Sequence, residues 1–103
     1  MDVFTALADP TRRGILAFLE DGPRDASEIA AQFSISKPAI SKHLKRLHEG
    51  ALVTRTIDAQ RRIYAIDPTG LAEAEQWIAD RRRAWEGRLD RLEAYLADTN
   101  GSA

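Results

Sequence analysis

SISKPAISKHLKRLHEGALV, residues 34–53, is the stretch on which the fold turns. Ser36 precedes Lys37 and Pro38, and a hydroxyl before a proline is a helix start, since Pro has no N–H to lose in the first turn. Ile40, Leu44 and Leu47 then recur at helical spacing and mark one buried face. Lys37, Ser41, Lys42 and Lys45 are left facing outward. The helix is predicted to run to Glu49, with Gly50 supplying a left-handed terminating residue. Its basic face is the first sign of function.

Working back, Asp25 and Glu28 stand at capping-box spacing ahead of Ile29, Ala30 and Phe33, which predicts a short helix ending near Phe33. Two helices joined by the brief Ser34-Ile35-Ser36 turn make a helix-turn-helix. Asp9-Pro10 starts an earlier helix through Glu20, stopped by Asp21-Gly22-Pro23, and Asp2 caps a first helix carrying Val3, Phe4 and Leu7 on one face.

Working forward, residues 52–57 and 61–66 are β-rich and roughly alternating, so they predict a hairpin, the wing. Ala59 disfavours a tight two-residue turn, which needs positive φ, and predicts a tip of three or more residues. Asp67-Pro68 begins a last helix to about Ala97, with Leu71, Ala74, Ile78, Trp85, Leu89, Leu92 and Leu96 along one stripe. A helix of about 29 residues spans about 43 Å. That exceeds what so small a core covers, and a second copy of the chain is the expected partner.

The fold class is therefore mainly α with a β-hairpin wing: a winged helix-turn-helix of order α-α-α-α-β-β-α, forming a homodimer. The 103 residues suit one domain over 1–98, with 99–103 as a flexible polar tail. Net charge is −1, but its distribution is informative. Residues 1–35 carry three Arg against six acids (−3), 36–62 carry seven Lys/Arg against two (+5), and 63–103 carry five against eight (−3). A basic centre in an acidic chain marks contact with a polyanion. The chain has no Cys, which excludes disulfides, thiolate ligands and a cysteine nucleophile. It shows no Gly-rich phosphate loop, and Glu73 and Glu75 fall on opposite sides of their helix, so no enzyme is expected. No cofactor is expected either. The N-terminus lacks a basic stretch followed by an apolar run, and no long apolar run occurs, which predicts a cytoplasmic protein and no membrane partner.

The segments FTALADPTRRGIL, SISKPAISKHLKRLHEGALV and RTIDAQRRIYAID, with the position of the last helix, resemble the ArsR/SmtB-type bacterial transcriptional regulators over nearly the whole chain. WIADRRRAWEGRLDRLEAYL is similar to the last helix of the short, metal-free branch. The resemblance implies a winged-helix dimer joined through its first and last helices, seated on an operator and usually repressing. Metal-sensing members carry Cys in the third helix or Asp and His along the last, whereas here that third-helix segment is RDASEIA and no His follows His48. No metal site is expected. His43 and His48 lie about 140° apart around one helix and do not converge on an ion. His43 reads as packing or as a phosphate hydrogen bond.

A major groove about 12 Å wide admits one helix and is read from its first turns. The expected DNA-binding residues are Ser36, Lys37, Pro38, Ala39, Ser41 and Lys42 towards bases, Lys45 and Arg46 towards phosphates, and Gln60, Arg61 and Arg62 on the wing. Adjacent Arg61 and Arg62 point to opposite faces of the strand, so only one need reach the groove. The expected dimer contacts are Val3, Phe4, Leu7, Ile78, Trp85, Leu89, Leu92 and Leu96. Trp77 and Trp85 also raise a small-molecule effector, though aromatics at helical spacing are more often packing. The alternative function is a winged-helix module that binds another protein and no specific DNA.

Overall fold

Each of the first four helices begins where a side-chain oxygen accepts an otherwise orphaned backbone N–H. In the computed structural model, which describes residues 2–101, Asp2 accepts from Thr5 at 3.0 Å and starts α1 (Val3–Leu7). Asp9 accepts from Arg12 at 3.0 Å and starts α2 (Pro10–Phe18), which tightens into a 3-10 turn over Leu19–Asp21. Asp25 accepts from Glu28 at 2.8 Å, completing a capping box, for α3 (Ala26–Phe33). Ser36 caps α4 (Lys37–Glu49) through Ala39 N–H at 3.3 Å. Donation of backbone N–H to the charged form holds the carboxyls of Asp2, Asp9 and Asp25 below the ordinary aspartate range.

The wing is β2 (Val53–Asp58) against β3 (Arg61–Ile66), antiparallel, from Val53 opposite Ile66 to Asp58 opposite Arg61. A third strand, β1 (Arg24–Asp25), pairs with the other edge of β3, so the sheet order is β1-β3-β2. Two residues carry no alternation, which is why sequence periodicity does not show β1. The core forms where the apolar stripes of these elements meet: Ile15 and Leu19, Ile29, then Ile40, Leu44 and Leu47 of α4, and Leu52, Val53 and Tyr64 at the root of the wing.

Two turns differ from expectation. Asp58 pairs directly with Arg61, so the wing tip is a two-residue turn, with Ala59 at φ 55°. The strain is tolerated because strand pairing on both sides sets the register. Left-handed φ costs an L-residue about 1–2 kcal/mol, and Gly gives back roughly 0.4–1 kcal/mol in unfolded-chain entropy. Ala59→Gly is expected to raise stability by about 0.5 kcal/mol or more. A lower urea midpoint for the variant would show the turn to be relaxed. At the end of α4 the left-handed residue is Ala51, at φ 56°, and not Gly50, whose φ is −82°. Gly50 is small for another reason: a Cβ there would lie 3.1 Å from Cβ of Ala6 on α1.

The last helix, α5 (Pro68–Gly101), is 34 residues long and passes the end expected near Ala97. Thr99–Gly101 are helical, and residues 102–103 of the expected tail lie outside the described residues. Only the start of α5 rests on the domain, through buried Gly70 and Ala74. The chain measures 75 × 24 × 23 Å and its radius of gyration is 20.6 Å, against about 13 Å for a compact chain of this size. The excess is the projecting helix. No described helix is long and apolar enough to cross a membrane.

Candidate nucleic-acid interface

Burying Ile40, Leu44 and Leu47 turns the opposite side of α4 to solvent, and that side is basic. Lys37, Pro38, Ser41, Lys42, Lys45 and Arg46 are all exposed, while Ala39 is half-buried on a flank. Helical phase at 100° per residue puts Pro38, Lys42 and Glu49 nearest the middle of the exposed side, with Lys45 and Arg46 to either side of it. Lys37 and Ser41 lie on the flank towards α3, where they share a shallow groove with Ala26, Ser27 and Ala30. Ser36 spends its hydroxyl on the cap.

The wing separates its two arginines. Arg61 Nε and Nη2 reach Asp25 Oδ2 at 3.1 and 3.0 Å, and Nη2 lies 3.6 Å from Glu28. Arg61 thus ties the wing to the start of α3. Arg62 is opposite Ile57 in the ladder and shares its face with Arg55 and Ile57, all exposed. Gln60 is exposed at the tip.

Arg12 is a site residue that the sequence reading passes over. It is only 4% exposed; Nε donates to Ala6 O at 2.8 Å, Nη2 to Thr5 O at 3.0 Å, and Nη1 to His43 Nδ1 at 3.3 Å. Its signal is its phase: Arg12 precedes Ile15 and Leu19 on the buried side of α2, where an Arg must find partners. His43 is therefore held by packing and a side-chain bond to α2. His48 is exposed elsewhere on α4.

Of the expected dimer residues, Val3 is 5% exposed and Leu7 is packed against the chain's own core, which leaves Phe4 as the open residue of α1. Phe4 meets Trp77 of α5 edge-on, with ring centroids 5.3 Å apart. Ile78, Trp85, Leu89, Leu92 and Leu96 are all about half exposed or more. Trp77, Ile78, Arg81, Trp85 and Leu89 line an open groove of about 410 Å³ along α5. Among the described residues, no three His, Cys, Asp or Glu side chains are grouped to hold a metal ion.

A two-helix unit presenting a basic helix beside a three-stranded wing defines a winged helix-turn-helix DNA-binding protein. Residues 9–55 match the family described as bacterial regulatory protein, arsR family. The HTH-type transcriptional regulator Rv2034 of Mycobacterium tuberculosis is 42% identical over 96 residues, covering 93% of this chain and 86% of that protein. The transcriptional repressor SdpR of Bacillus subtilis is 39% identical over 77 residues, covering 75% and 86%. An ArsR-like transcriptional regulator from Rhodococcus sp. RHA1 superposes with a TM-score of 0.78 at 30% identity, covering 87% of this chain and 85% of that one. This chain belongs to the arsR family of bacterial regulatory proteins. It is a DNA-binding transcriptional regulator and not an enzyme.

Proposed function

We propose that the protein represses by occupying an inverted-repeat operator as a two-fold dimer in the bacterial cytoplasm, without a metal cofactor. The observation that carries this is the pairing of an exposed basic helix with a long helix whose apolar stripe from Ile78 to Leu96 is open among the described residues. One recognition helix reads only a few base pairs, so two copies about 34 Å apart are needed to define a site. Trp85, Leu89, Leu92 and Leu96 are spaced four, three and four apart, the seam spacing by which one helix packs along another. Support for metal independence comes from the missing Cys and from the His43 and His48 positions on different sides of α4.

Within each half-site, Lys42 is placed to read a base edge, with Lys37 and Ser41 beside it and Pro38 or Ala39 against a thymine methyl. Lys45 and Arg46 meet phosphates. On the wing, Arg62 and Gln60 reach the adjacent groove or backbone, while Arg61 holds the wing in position. Lys42→Ala is expected to weaken operator binding by about 1–3 kcal/mol with helix content unchanged. Fluorescence anisotropy on a duplex enriched from random sequence by the wild-type protein measures it, at two salt concentrations. Specific binding that tightens steeply as salt falls is the expected result. Unchanged affinity would remove Lys42 from the site, and salt-insensitive or absent binding would favour a protein-binding module.

A further inference from the structure

Arg12 joins three helices through one guanidinium. Its bonds to Thr5 O and Ala6 O satisfy carbonyls at the end of α1, a helix that touches α5 through Phe4 and Trp77. Its remaining bond goes to His43 Nδ1 on α4, between Lys42 and the DNA-facing turn that ends in Arg46. A guanidinium can only donate, so Nδ1 accepts, and the ring is the neutral form carrying its proton on Nε2. This bond links a side chain of α4 to α2, on the flank opposite the α3 groove.

Protonation of Nδ1 removes that acceptor and sets an imidazolium against the guanidinium at 3.3 Å. The charged groups around the ring are few. α2 contributes Arg12 and, at its cap, Asp9, whose Oδ2 is 3.9 Å from Nδ1 and already accepts Arg12 N–H. α1 contributes only carbonyls, α3 packs on the other flank, and α4 itself contributes the cations Lys42 and Arg46, both on the side of the ring towards the exposed face. A charged ring is driven off Arg12 and towards Asp9.

We infer that Arg12 is a positioning residue for the recognition helix and that it acts through neutral His43, so that protonating His43 releases α4 from its DNA-reading orientation. The inference rests on α4 being the helix that reads DNA. Lower pH favours the protonated ring, so the clamp opens as pH falls.

The test compares wild type, His43→Gln and His43→Leu on the wild-type-enriched duplex between pH 8 and pH 5.5. Gln offers Arg12 a non-titrating acceptor oxygen, and Leu offers none. Wild-type affinity is expected to fall about tenfold relative to His43→Gln as pH drops, a difference of about 1.4 kcal/mol in binding free energy. His48 and every other titrating group are common to both proteins and cancel in the ratio. His43→Leu is expected to bind weakly throughout, and if it does not fold, the wild-type and Gln comparison still decides. Superimposable wild-type and Gln profiles would overturn the inference, as would wild-type binding that tightens at low pH, the mark of a phosphate contact. Failure of the wild type to enrich any sequence at pH 8 would sink the DNA-reading role of α4, and the clamp with it.

Discussion

Leu89→Glu combined with Leu92→Glu is expected to yield a folded monomer whose operator affinity is about a hundredfold or more below wild type, although every side chain of α4 is intact. Leu89 and Leu92 are 57% and 51% exposed in the single chain, so the substitutions remove no core contact. In a dimer joined along α5 the same positions would bring four carboxylates into an apolar seam. An uncompensated buried charge costs several kcal/mol, which is enough to separate two chains at micromolar concentration. Specific DNA binding is lost with the dimer because one half-site supplies too few contacts. Analytical ultracentrifugation and far-UV circular dichroism on the same sample check both halves. A wild-type monomer at micromolar concentration that still binds its operator tightly would sink the dimer.

Gly70→Ala is expected to destabilise the fold by about 3 kcal/mol, which in a domain of roughly this size lowers Tm by about 12 °C or more. Gly70 opens the first turn of α5, and its N–H donates to Ala51 O at 2.8 Å. A Cβ at this position would lie 2.3 Å from Gly50 O and 2.7 Å from Ala51 O, both main-chain atoms that no rotamer change can clear. Helix propensity alone favours Ala over Gly by about 1 kcal/mol, so the sign of the effect separates the two influences. A differential scanning calorimetry trace with Tm raised in the variant would mean that α5 does not approach the α4–β2 turn this closely. The prediction also touches the proposed function, because relieving the clash would tilt α5 and with it the stripe proposed to pair two copies.

Much of the molecule is legible before folding because its signals are local. Asp2, Asp9, Asp25 and Ser36 cap the next turn of their own chain, Ile40, Leu44 and Leu47 mark a face by spacing, and the charge balance of residues 36–62 marks the basic segment. These depend on residues three or four apart, and a helix start or stripe involves no distant partner. The wing is visible for the same reason, but its tip is not. Ala59 takes a left-handed φ because the pairing of Asp58 with Arg61 imposes it, and pairing energy over a whole ladder exceeds the strain at one residue.

What the tertiary structure decided concerns contacts between elements far apart in the chain. β1 exists because Arg24 and Asp25 come to lie beside Tyr64 and Ile63. Arg61, one of two adjacent arginines in the sequence, is taken by Asp25 and Glu28, and Arg62 stays open. Val3 turns into the core and Phe4 outward against Trp77. Gly50 and Gly70 are small because α1 and the α4–β2 turn press on them, not because their own backbone requires it. Spacing along the chain determined the helices, the wing and the basic face. Which charges were already partnered, and how closely two backbones approach, was decided only when elements dozens of residues apart packed together, since a salt bridge or a van der Waals contact acts over a few ångströms of space and not along the chain.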